Sequence, residues 1–149
     1  MVAGRHLLAV SWAQGIANGA PYMRDTVCIV DNDEEMRVLL ARVVQSVGLP
    51  TRSYDSAESF LDRQPEAGVA CLLIDVELGG MSGVSLLERL AEHELDVPVF
   101  LISGGHDAHT IATAKRLGAV AVDKPFDARG LAQQIRAAVK EATKRPTND

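Results

Sequence analysis

A chain of 149 residues, 47% hydrophobic and 23% charged, has room for one ordinary domain with a real core and short tails, and too little for two. A net charge of −5 argues against direct nucleic-acid binding, which needs clustered Lys and Arg; only Lys140, Lys144 and Arg145 gather, where cations suit a helix C-terminus. No run of about 18 apolar residues exists, so no membrane span is expected, and Cys28 and Cys71, each inside an apolar run, read as buried free thiols of a reducing compartment.

Residues 1–25 form an extension of unassigned role. It reads either as a short amphipathic segment around Leu8, Trp12 and Ile16, or as residues upstream of a natural start at Met23; the apolar run Leu7 to Ala13 is only a loose likeness to a signal peptide. From Thr26 onward, apolar runs alternate with helix-length amphipathic segments, the pattern of a parallel sheet with helices on both faces.

Val27 to Val30 is a first strand apolar enough to be buried on both sides, and Asp31-Asn32-Asp33 ends it. Met36, Leu39, Leu40, Val43, Val44 and Val47 recur at helical spacing, and Gly48 with Pro50 stops that helix. A weak strand at Thr51 to Tyr54 precedes a short helix opened by Ser56 and Glu58 and carrying Ala57, Phe60 and Leu61. Val69 to Ile74 is a strong third strand ending in Asp75, and the glycine-rich loop 79–83 leads to a helix with Val84, Leu87 and Leu90 inward. Val97 to Ile102 is the fourth strand, ending in Ser103; a helix from about Ala108 to Leu117 is closed by Gly118. Ala119 to Val122 is the fifth strand, leading to Asp123-Lys124-Pro125-Phe126, and the last helix buries Leu131, Ile135, Ala138, Val139 and Ala142. The fold class is α/β, a doubly wound (βα)5 sheet over residues 26–143, with a polar tail at 144–149.

In open α/β sheets ligands gather outside the carboxyl ends of the strands. Four strands here end in Asp31, Asp75, Ser103 and Lys124. Helix capping explains one such Asp or Ser, but not a lysine, nor four at once. Two carboxylates converging in a cleft repel unless a cation joins them, and a hard divalent ion held by carboxylates plus substrate phosphate is the usual magnesium arrangement. Lys124 could pair with a phosphoryl oxygen and Ser103 could donate to another, which leaves Asp75 as a candidate nucleophile forming an aspartyl phosphate.

Val-Asp-Asn-Asp at 30–33, Leu-Ile-Asp at 73–75, Met-Ser-Gly at 81–83, Ile-Ser-Gly at 102–104 and Asp-Lys-Pro-Phe at 123–126 together resemble the receiver domains of two-component signalling. The likeness is strongest to receivers joined to helix-turn-helix output domains, and no output domain is read in this sequence. The resemblance implies a flavodoxin-like strand order 2-1-3-4-5 and Asp75 as phosphoacceptor. It implies a Mg2+ site from Asp31, Asn32, Asp75 and the Glu77 carbonyl, Ser103, Gly104 and Lys124 around the phosphate, and a cis bond before Pro125. It also implies a histidine kinase or phosphotransfer protein as donor, a downstream protein partner or missing output domain, and a cytoplasmic setting. Its only chemistry would be self-catalysed phosphotransfer and dephosphorylation; homodimerisation is left open.

Several positions depart from that pattern. Asn32 replaces a second acidic ligand, which should lower magnesium affinity, and Asp33 more naturally caps the first helix. Gly79-Gly80 should loosen the loop after Asp75. Ala121 stands where the switch aromatic is common. Asn32 and Ala121 are the features that favour the alternative, a receiver-like interaction module independent of phosphorylation. His106 and His109, three apart but with no third ligand, read as solvated residues.

Overall fold

The computed structural model describes residues 25–63, 68–105 and 107–144, so the expectations for the N-terminal extension, for His106 and for the tail beyond Lys144 lie outside the described residues. Five strands alternate with five helices: β1 Thr26–Val30, α1 Glu34–Gln45, β2 Thr51–Tyr54, α2 Ala57–Asp62, β3 Val69–Asp75, α3 Gly83–Glu92, β4 Val99–Ser103, α4 Ala108–Arg116, β5 Val120–Asp123 and α5 Ala128–Lys144. The strands form one parallel sheet in the order β2-β1-β3-β4-β5.

Period-two alternation divides the core into two layers. Val27, Ile29, Cys71, Leu73, Phe100 and Ile102 point to the side covered by α1 and α5, where Leu40, Val43, Val44, Leu131 and Ile135 meet them. Cys28, Val30, Leu72, Ile74, Val99 and Leu101 point to the other side, against Phe60, Leu86, Leu87, Leu90 and Ala114 of α2, α3 and α4. All seven residues of β3 are buried, as a central strand covered on both faces should be. Both cysteines are buried and neither is in a disulfide, and burial pushes the Cys71 thiol far up. Tyr54 packs edge-to-face on Phe60 with ring centroids 5.2 Å apart.

The helix starts follow their sequence signals. The Asp33 carboxylate accepts from the Glu35 N–H at 3.0 Å and caps α1. Ser56 and Ser59 exchange hydrogen bonds in a capping box that opens α2.

Some boundaries differ from expectation. β4 starts at Val99, not Val97, because Pro98 has no N–H to give the ladder; its carbonyl instead accepts from Leu72 at 3.0 Å. The α1 stripe is narrower than its apolar pattern, since Leu39 is 42% exposed. β5 is an edge strand, and Val120 and Ala121 are exposed.

Candidate functional site

The carboxyl ends of β1, β3, β4 and β5 lie side by side and bring the four predicted groups to one rim. Asp75, the last residue of β3, is 5% exposed, and its Oδ2 pairs with Lys124 Nζ at 3.2 Å. Its Oδ1 accepts from the Glu77 N–H at 3.1 Å, which starts the turn of the following loop. Lys124 follows β5 and is anchored there by its own N–H, which donates to the Ser103 carbonyl at 2.8 Å; the Lys124–Pro125 bond is cis.

Asp31 is fully buried. Its Oδ1 accepts from the Asp33 N–H at 2.9 Å, while Oδ2 has no hydrogen-bond partner among the described residues. Burial, with the neighbouring Asp75 charge adding, pushes its carboxyl up to about 6, against the pull of the Asp33 N–H and Lys124. A buried carboxylate oxygen with nothing to accept from, beside a second carboxylate, suits a hard cation. Among the described residues no cluster of three His, Cys, Asp or Glu side chains could hold a metal. Any ion here would therefore take two carboxylates and complete its shell with carbonyl, amide, water or phosphate oxygens, the habit of magnesium. Asn32 is exposed, next in the chain to Asp31, and its amide nitrogen lies 3.8 Å from where a Cβ on Gly79 would be. Asp33 serves as the α1 cap, its Oδ1 accepting from the Glu35 N–H.

The raised Asp31 carboxyl makes stability pH-dependent. The folded state binds this proton more tightly than the unfolded chain, so its contribution is fully present below the usual value of 3.8 and is lost as pH rises through about 6. Melting without metal is expected to show the natural chain gaining stability relative to Asp31→Asn as pH falls from 7 to 5, by on the order of 1–2 kcal/mol. An unchanged difference between the two proteins across that range would refute the assignment.

Ser103 is brought to the rim but not to the carboxylates: its hydroxyl donates to the Gly105 carbonyl at 2.7 Å and accepts from the Gly105 N–H at 3.2 Å. Gly104 is exposed beside it. Ala121 lies opposite Leu101 in the sheet register, exposed and without an aromatic ring to answer Ser103. His109 is exposed.

The loop after Asp75, for all the freedom of its glycine pair, is tied down at neighbouring positions. Gly79 adopts φ 88°, a conformation other residues rarely take, and Leu78 is buried in the core. Gly83 donates to the Val76 carbonyl at 2.9 Å, and Glu58 reaches over from α2 to accept from the Met81 N–H at 2.9 Å. That bond holds the Glu58 carboxyl below its usual range. Glu58→Ala should therefore weaken magnesium binding about threefold, while Glu58→Gln, which keeps an acceptor oxygen, should not. Titration of each variant with the metal checks this, and equal affinity in Glu58→Ala would remove Glu58 from the site. Sequence reasoning used Glu58 only as a helix start, and passed over Arg37, whose Nη1 donates to the Asp31 carbonyl at 2.7 Å. An acid in the first turn of a helix and an arginine in an amphipathic helix carry no local signal for either contact.

Residues 27–136 match the response regulator receiver domain family. The transcriptional regulatory protein FixJ of Bradyrhizobium diazoefficiens is 31% identical over 78% of this chain and 57% of its own length. The response regulator protein TmoT of Ectopseudomonas mendocina is 33% identical over 87% of this chain and 61% of its own. The chain thus spans about three fifths of the length of these curated relatives. A receiver domain protein (CheY-like) from Methanospirillum hungatei has the same fold, with a TM-score of 0.72 at 22% identity over 80% of this chain and 97% of that one.

Proposed function

Because the chain belongs to the response regulator receiver domain family, a family of two-component phosphoacceptors, we propose that Asp75 is its phosphoacceptor and that Asp31, Asp75, the Glu77 carbonyl and the Asn32 amide oxygen hold Mg2+. The observation that carries this reading is the buried Asp31–Asp75 pair with Lys124 Nζ at 3.2 Å from the Asp75 carboxylate. The bound ion would neutralise the charge gathered there as a phosphoryl group arrives.

An Asp75 carboxylate oxygen attacks phosphorus as the P–N bond of a donor phosphohistidine breaks. The imidazole leaves with the electron pair and takes up a proton. Lys124 then faces the phosphoryl oxygens instead of the bare carboxylate. Ser103 reaches them only by giving up Gly105, so phosphorylation favours a form with the loop at 103–105 rearranged. With Ala121 in place of an aromatic, that loop carries the change to the surface of α4, β5 and α5, for a protein partner or an output domain of a longer chain. The donor is a histidine kinase or phosphotransfer protein, and the domain that carries this exchange is residues 26–143.

Acetyl phosphate with magnesium should add one phosphoryl group by intact mass, and EDTA should lower the yield by more than about tenfold. Absence of any adduct at high magnesium would leave the phosphate-independent interaction module as the better reading.

A further inference from the structure

Arg37 stands four residues into α1, close to the end where the positive pole of the helix favours acids such as Glu34 and Glu35 and disfavours a cation. The reason for a cation there lies across the turn. The half-buried Arg37 side chain reaches back six residues, and its Nη1 donates to the Asp31 carbonyl at 2.7 Å, a short charge-assisted bond. Its own N–H donates to the Asp33 carbonyl at 3.0 Å. One residue thus ties the turn at 31–33 to the helix twice.

Asp31 is held on every side but one. Its N–H donates to the Tyr54 carbonyl at 3.0 Å, its carbonyl accepts from Arg37, and its Oδ1 accepts from the Asp33 N–H at 2.9 Å. Those bonds leave the buried Oδ2, with no hydrogen-bond partner among the described residues, as the atom available to an ion. Without Arg37 the Asp31 carbonyl loses this donor, and the Asp31–Asn32 peptide gains freedom to rotate. Two of the proposed ligand residues, Asp31 and Asn32, ride on that peptide.

We infer that Arg37 is a positioning residue for the acidic pocket, holding the Asp31–Asn32 peptide so that Asp31 Oδ2 meets the metal; the inference rests on the reading of that pocket as a magnesium site. Charge and position act here with opposite signs. A guanidinium beside a divalent ion repels it, so if Arg37 acted through its charge, removing it would tighten magnesium binding. If it acts by holding the peptide, removing it loosens binding.

Arg37→Met keeps the stem and loses the fork, and Arg42→Met removes the same charge from an exposed position on the same helix. Both are checked as folded by circular dichroism, and Arg37→Gln, too short to reach the carbonyl, repeats the test should Arg37→Met not fold. In EDTA, the amide nitrogen of Asn32, which shares its peptide with the Asp31 carbonyl, should shift in Arg37→Met and stay in place in Arg42→Met. Magnesium titration followed by amide NMR should then give roughly tenfold weaker affinity in Arg37→Met, no change in Arg42→Met, and recovery in Arg37→Lys, which keeps a charged donor. Phosphorylation by acetyl phosphate should need about tenfold more magnesium for half its rate, with the rate at saturating magnesium within about twofold of the natural chain's. Equal or tighter magnesium binding in Arg37→Met, or equal weakening in Arg42→Met, would overturn the inference while the magnesium reading stands. No saturable magnesium binding by the natural chain would overturn that reading and the inference with it.

Discussion

Asp75→Asn is expected to stay folded and to take up no phosphoryl group. The amide oxygen is a far poorer nucleophile than the carboxylate, so the rate of adduct formation from acetyl phosphate should fall by more than about a hundredfold. Loss of the adduct alone could also follow from unfolding, and the geometry supplies the control. The carboxylate is buried beside Asp31, whose Oδ2 has no hydrogen-bond partner among the described residues, and removing one of two neighbouring negative charges relieves their repulsion. Asparagine keeps one acceptor oxygen where Asp75 uses two, for Lys124 and the Glu77 N–H, which offsets that relief, so without metal the variant should unfold within about 1 kcal/mol of the natural chain. A phosphate adduct that persists in a well-folded Asp75→Asn would place the acceptor elsewhere.

Gly83→Ala should produce the largest loss of stability of any single methyl added to the rim. A Cβ on Gly83 would run into the carbonyl of Asp75 and stand 2.9 Å from the Val76 Cα. Both obstacles are backbone in the buried end of β3 and the start of its loop, with no flexible side chain to swing away. Either α3 withdraws from the sheet or the Asp75–Val76 peptide shifts, and both disturb the fastening of the loop at Gly83 to Val76. A cost of about 2–4 kcal/mol is expected by denaturant titration, with weaker magnesium binding in whatever remains folded. Gly104→Ala is the contrast, since a Cβ there meets nothing within 4 Å and should leave stability nearly unchanged. Equal stability of the two variants would refute the packing argument.

The strands that build the site were legible because they are buried on both faces. Val27 to Val30 and Val69 to Ile74 are apolar without alternation, and the structure places them at the centre of the sheet. The rule that ligands sit at the carboxyl ends of strands then drew Asp31, Asp75, Ser103 and Lys124 to one rim without any distance being known. The boundaries at Val97 and Leu39 misled because apolar character is shared by strand, turn and exposed helix face; at Pro98 the missing N–H decided the matter. The fastening of the loop by Glu58 joins positions 23 apart in sequence. The grip of Ser103 on Gly105 depends on a hydroxyl rotation. Neither leaves a trace in residue periodicity.

The full burial of β3, paired to β1 on one side and β4 on the other, has a consequence for how long a phosphoryl group could stay. A segment so enclosed opens only when the whole domain opens, so the amides of Leu72, Leu73 and Ile74 should exchange with deuterium at the rate of global unfolding. An acyl phosphate formed on Asp75 would then have no water route from beneath. Hydrolysis would have to enter through the two loops above it, residues 76–82 and 103–105, so those loops would set the lifetime of the signal while the strand beneath Asp75 stands still.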